Sequence, residues 1–232
     1  RRPPRSTLFL YTTLFRSELL DAAPAAEAEE NLRDLVRINR WLGGHWVLPG
    51  LVESVAGRGE ALRVLDVGAA SGDMGEALRR RFPRARVVAL DRLARNLGAA
   101  EGPKVVADAF RLPFAERSFD VVMANLFLHH FEEEAAVRLL EEMARVAGRA
   151  VVVLDLWRHR VAKGFLPATR GLCGWHELTV ADGVRSVEAG FVAAELGALA
   201  RRAGLGAARV RRHLPWFRVS MVARVGGGNL LT

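Results

Sequence analysis

The stretch Ala61 to Asp73, ALRVLDVGAASGD, limits the fold more than any other part of the chain. An apolar run of Leu62, Val64, Leu65 and Val67 carries one acid, Asp66, near its end. Five small residues follow, Gly68 to Gly72, and then Met74 to Phe82 reads as a helix. A buried strand, a glycine turn and a helix in that order build a nucleotide pocket at the carboxyl edge of a parallel sheet. Glycine takes φ > 0 where such a turn needs it, and small residues let a ligand approach the backbone.

Three further strand-like runs repeat the theme. Arg86 to Leu90 closes on Asp91, Val105 to Ala107 on Asp108 and Ala109, and Phe119 to Ala124 on Asn125. Two acids and an amide at successive strand ends make a ring of acceptors around one crevice. An acid after the second strand suits ribose hydroxyls. A dinucleotide loop would read G-x-G-x-x-G. This chain has G-x-x-x-G, with Asp66 two places before the first glycine. A carboxylate there serves a ligand that carries an ammonium, not a pyrophosphate.

Taken in series, DVGAASGD, LDR, ADAFRLPF and SFDVVMANLFLHHF resemble the motifs of class I S-adenosylmethionine-dependent methyltransferases, over roughly Leu62 to Arg224. The resemblance implies an α/β fold: a Rossmann-like, seven-stranded, mainly parallel sheet with helices on both faces. A final antiparallel strand and an N-terminal helical extension complete it. The implied cofactor is S-adenosyl-L-methionine. Asp66 and the backbone of Gly68, Ala70 and Gly72 would hold its amino-acid end, and Asp91, with Arg92 beside it, its ribose. Asp108 and the Ala109 amide would read the adenine edge, with Phe110 or Leu126 against its face, and Asn125 would open the acceptor-facing loop. Ala70 stands where many members carry a middle glycine.

Around this centre the pattern gives a helix over Asn31–Leu42 stopped by Gly43-Gly44, and a second over about Trp46–Val55. Both precede the first strand, as a packed extension or a lid. Glu132–Val146 is amphipathic, Ala150–Leu154 is a strand ending at Asp155, and Phe191–Ala203 is a helix closed by Gly204. Ala207–His213 and Phe217–Val225 read as a hairpin at one sheet edge. Trp157 to Gly190 lacks regular periodicity and reads as a long connection over the crevice, on the acceptor side. The organisation expected is 1–17 foreign, 18–60 helical extension, 61–225 methyltransferase domain and 226–232 tail. Thr7 to Ser17, TLFLYTTLFRS, resembles a translated sequencing adapter, and that is why the first segment is set apart.

Methyl transfer needs alignment of the acceptor, and a weakly acidic acceptor gains from a general base. His129 follows the fourth strand within the apolar run Asn125 to Phe131 and is the candidate base. His130, His176, Asp182 and Ser186 are candidates for acceptor contact. No spacing of the H-x-x-x-H kind suggests a metal. The apolar surroundings favour a small, hydrophobic acceptor of phenolic, quinone-like or polyketide type, methylated at oxygen. An RNA or protein methyltransferase and a non-catalytic cofactor-binding domain are the alternatives.

Composition adds limits. The net charge is +8, but four arginines lie in residues 1–17, and only Lys104 and Lys163 are lysines. The basicity therefore reads as base composition, not as a nucleic-acid footprint. The one cysteine, Cys173, excludes an internal disulfide and fits a cytoplasmic setting. No apolar run reaches the ~18–20 residues of a membrane span.

Overall fold

The computed structural model describes residues 24–226. The expectations for residues 1–17 and for nearly all of the tail fall outside them. Two helices come first, α1 (Ala25–Trp41) and α2 (Gly44–Glu53). Then β1 (Arg63–Val67), α3 (Asp73–Arg81), β2 (Arg86–Asp91), β3 (Lys104–Val106) and β4 (Phe119–Asn125) alternate as a doubly wound chain. After them come α4 (Glu133–Val146), β5 (Ala147–Leu156), α5 (Arg160–Cys173), α6 (Glu177–Ala189) and α7 (Ala193–Arg202). The hairpin β6 (Arg209–His213) and β7 (Arg218–Arg224) ends the fold.

The sheet runs β3-β2-β1-β4-β5-β7-β6. The pairs from β3 to β5 are parallel. β7 pairs antiparallel with β5 on one side and β6 on the other. The expected seven-stranded, mainly parallel sheet with an antiparallel end is the one observed.

Central strands covered on both faces read as continuous apolar runs. In β1, Val64, Leu65, Asp66 and Val67 are all buried. One face packs Leu48, Leu51 and Val52 of α2 and Met74 and Leu78 of α3 on Val64, Val121, Met123, Val152 and Leu154. The other packs Leu139, Leu140 and Met143 of α4 and Leu196 and Leu199 of α7 on Leu65, Val67, Val122, Val151, Val153 and Met221. The helix ends carry matching charge: Asp73 and Glu76 open α3 and Arg79 to Arg81 close it.

Two expectations need correction. The first helix starts at Ala25, not Asn31, because the Ala/Glu-rich run before it is made of strong helix formers. The connection from Trp157 to Gly190 is not irregular: it holds α5 and α6. Leu166 is the one buried residue of α5, and α6 buries Thr179, Asp182 and Val187. These helices roof the cavity, and α5 does carry an apolar face: Phe165, Leu166 and Cys173 pack with Ile38 of α1 and Trp175, a stripe that the glycines and Pro167 of the segment hide in the sequence. Histidines cap both: His159 Nδ1 accepts Val161 N–H at 3.2 Å, and His176 Nδ1 accepts Leu178 N–H at 3.3 Å.

Candidate active site

The strand order reverses between β1 and β4, where connections leave in opposite directions and open a crevice at the carboxyl ends. A cavity of about 250 Å³ lies there, closed above by α1, α5 and α6. The glycine turn forms its floor. Gly68 and Ala69 both donate their N–H to Leu90 O at 2.9 Å, which folds the turn onto the end of β2. Gly68 has φ +71°, and a Cβ there would overlap the Phe127 ring. Three non-glycine residues of the lining, Ala70, Leu126 and Phe217, also hold positive φ, at 45°, 51° and 48°. Backbone strain of this kind gathers at functional sites.

The turn is ringed by acids. Asp66 is 2% exposed, and its Oδ2 has no hydrogen-bond partner among the described residues. Burial, with the charges of Asp73 and Asp91, pushes its pKa well above the ordinary carboxylate value. Asp91 accepts Ala70 N–H at 3.2 Å, Leu93 N–H at 2.9 Å and Asn96 Nδ2 at 3.2 Å. Burial outweighs those bonds and its pKa is raised as well. Asp73 accepts Asn39 Nδ2 at 3.0 Å and Ser71 Oγ at 3.2 Å, and His45 Nε2 lies 2.8 Å away. Three buried or half-buried carboxylates, one with an orphaned oxygen, fit a cationic ligand and repel an anionic one. The residues present therefore suit S-adenosylmethionine, whose amino-acid end carries an ammonium.

Of the residues expected at the cofactor, Asp66, Gly68, Ala70, Asp91, Arg92, Ala109, Asn125 and Leu126 line this cavity. Gly72, Asp108 and Phe110 do not. Gly72 is the left-handed N-cap of α3, with φ +73° and Ala100 packed so close that a Cβ would sit 2.5 Å from its methyl. Asp108 Oδ1 accepts Phe110 N–H at 2.8 Å and so shapes its own loop. The Phe110 ring turns edge-on to Phe131, 5.2 Å between centroids. Of the acceptor candidates, His129, His130, Asp182 and Ser186 are in the lining. His176 instead joins α6 to α1: its N–H donates to Asp34 Oδ2 at 2.8 Å, and its Nε2 lies 3.3 Å from Glu30.

His129 is 3% exposed, and its Nδ1 lies 2.6 Å from Asp155 Oδ1. Asp155, fully buried, also accepts Leu128 N–H at 2.9 Å, His129 N–H at 3.2 Å and Leu156 N–H at 2.7 Å. Burial alone would raise the Asp155 pKa. The His129 charge and hydrogen bond, the Leu156 N–H and the His130 charge outweigh it, and the carboxyl stays below its ordinary value. A carboxylate accepting at Nδ1 assigns the proton there and leaves the lone pair of a neutral imidazole on Nε2.

The sequence pattern marks Asp155 as a strand end but does not pair it with His129 as base and carboxylate, and it gives no lining role to Asn39, Asp73 or Arg218. Asn39 had a signal: an amide on an otherwise apolar helix stripe. It donates to Asp73 and accepts Asn125 Nδ2 at 3.1 Å, tying α1 to both sides of the switch point.

Residues 65–153 match the protein family described as "Methyltransferase domain". A demethylmenaquinone methyltransferase of Thermotoga maritima is 34% identical over 101 residues, 40% of this chain and 43% of that protein. A malonyl-[acyl-carrier protein] O-methyltransferase of Xylella fastidiosa is 34% identical over 99 residues, 38% of this chain and 34% of that protein. The chain thus spans less than half the length of these curated relatives. Among solved structures, the plantazolicin methyltransferase BpumL in complex with SAH superposes with a TM-score of 0.66 at 12% identity, over 87% of this chain and 90% of that one. Human N-acetylserotonin methyltransferase in complex with SAM gives 0.62 at 16% identity, over 87% of this chain and 57% of that one. The likeness to these structures shows the fold, and over residues 65–153 the chain matches a methyltransferase domain.

Proposed function

We propose that the chain transfers a methyl group from S-adenosylmethionine to an oxygen of a small, largely apolar acceptor, with His129 as general base. The His129–Asp155 pair in the cavity wall carries this reading. When bound, the cofactor supplies an activated methyl on a sulfonium leaving group. Asp66, Asp91 and residues 68–71 of the turn hold it, and Arg92, Ala109, Asn125 and Leu126 complete its walls. His129 Nε2 takes the proton of the acceptor hydroxyl. Asp155 fixes the imidazole tautomer and offsets the charge that forms on it, the positioning role that a buried carboxylate plays beside a catalytic histidine. Leu126, Phe127 and Phe131 keep water out and hold the acceptor in line.

The test is transfer of labelled methyl from S-adenosylmethionine to a panel of phenols and enols. His129→Ala should lower kcat by about 10²–10⁴-fold while leaving S-adenosylhomocysteine affinity within a few-fold. The wild-type rate should fall at acid pH as the imidazole takes a proton, and that limb should vanish in the variant. Near-normal kcat with an unchanged pH profile would leave His129 as a wall residue, with proximity alone at work.

A further inference from the structure

Arg218 opens β7, opposite Leu156 in the sheet register, and lines the cavity. It is 1% exposed. Its Nε donates to Leu42 O at 3.3 Å, and neither terminal nitrogen has a hydrogen-bond partner among the described residues. Burial lowers its pKa to about 10, with Asp155 and Asp73 opposing the drop, so it stays a cation at neutral pH. Leaving guanidinium N–H groups unmade in a dry site is costly. The fold accepts that cost on a wall that faces a ligand.

We propose that Arg218 receives a carboxylate carried by the methyl acceptor, so that the acceptor is a small, largely apolar acid. This rests on the methyltransferase reading above. The two free nitrogens form the fork that a planar, two-oxygen anion matches. A phosphate dianion would call for more positive charge, and the lining holds only one other arginine, Arg92, beside Asp91. The rest of this end is apolar: Leu35, Ile38, Leu42, Phe165, Leu166 and Trp216. Strands stand ~4.8 Å apart, so the β7 backbone lies roughly 14 Å across the sheet from the cofactor turn after β1, while the Arg218 side chain reaches back far enough to feel the charges of Asp155 and Asp73. Its flanking residues Trp216 and Phe217 and the helices α5 and α6 belong to the acceptor side.

The cofactor's methionine end also carries a carboxylate, and calorimetry separates the two sources. Protein saturated with S-adenosylhomocysteine is titrated with matched pairs of carboxylic acids and their primary amides, from benzoates and hydroxycinnamates to medium-chain fatty acids. Wild type should bind at least one acid tenfold or more better than its amide. Arg218→Met should lose that preference yet keep S-adenosylhomocysteine affinity within about threefold, and Arg218→Lys should recover part of the preference. If Arg218→Met instead loses tenfold or more for S-adenosylhomocysteine, and an analogue lacking the carboxylate binds both proteins equally, Arg218 holds the cofactor and the proposal falls. It falls too if wild type binds S-adenosylhomocysteine but prefers no acid, a result that needs no variant to fold. Wild type that binds no S-adenosylhomocysteine overturns the methyltransferase reading and this one with it.

Discussion

Burying Asp66 beside Asp73 and Asp91 works against the fold and for the ligand. An acid whose folded pKa lies above its unfolded value near 3.8 holds its proton more tightly in the native state. Its contribution to stability is therefore full below that value and is lost as pH rises toward the raised one. Asp66→Asn removes the loss and should stabilise the ligand-free protein at neutral pH by on the order of 1 kcal/mol, about 2–4 °C in Tm for a domain this size. The same change should weaken S-adenosylhomocysteine binding by about 10- to 150-fold, because a charged hydrogen bond is worth about 1.5–3 kcal/mol. Thermal melts and calorimetry on the one variant check both signs; a variant that melts lower would make Asp66 a structural acid. The acids at the strand ends were legible because they interrupt apolar runs. What Asp91 holds was not legible. Its bond to Ala70 N–H depends on a positive φ at an alanine, which no pattern announces.

Helices that pack on the sheet wrote themselves into the sequence, since each needs an apolar stripe. Of the roof helices, α1 did through its apolar stripe, whereas α5 and α6, broken by glycines, read as a loop. α1 meets α6 through polar contacts, with Asn31 Nδ2 3.4 Å from Thr179 Oγ1 and Asp34 accepting His176 N–H. Arg37 donates to Cys173 O at 2.5 Å and to Asp34 Oδ1 at 2.7 Å, and its guanidinium lies 4.9 Å from the Trp41 ring and 4.4 Å from the Trp175 ring. A half-buried arginine with this many partners is the pin of the roof. Arg37→Ala should cost about 1–3 kcal/mol locally. Amide exchange across α6 should then speed up by about 5- to 150-fold while exchange in β1 and β4 stays unchanged. Equal acceleration in the sheet would show that roof and sheet open as one unit.

At the scale of the molecule, one sheet supplies rigidity and one crevice supplies chemistry, and a ligand couples them. Anything that binds only the native state stabilises it by mass action. S-adenosylhomocysteine at 100 times its Kd should add ~2.7 kcal/mol, hence roughly 5–11 °C in Tm. No shift at that concentration would mean that the acid ring binds no such ligand. The parallel sheet was legible from strand patterns alternating with helical ones, together with the methyltransferase resemblance, except for the two helices between Trp157 and Gly190. The coupling was not, because it lives in residues distant in sequence. Asp34 and His176 stand 142 positions apart, and Asn31 and Thr179 148. A ceiling fastened by such remote stitches is costly to close before the strands between them have brought its two sides together. A chain growing from its N-terminus holds a bare floor of carboxylates until nearly its last helix arrives. By the same logic the ceiling should open before the sheet does, letting solvent and reactants pass, which is the order that amide exchange in the Arg37→Ala variant reads.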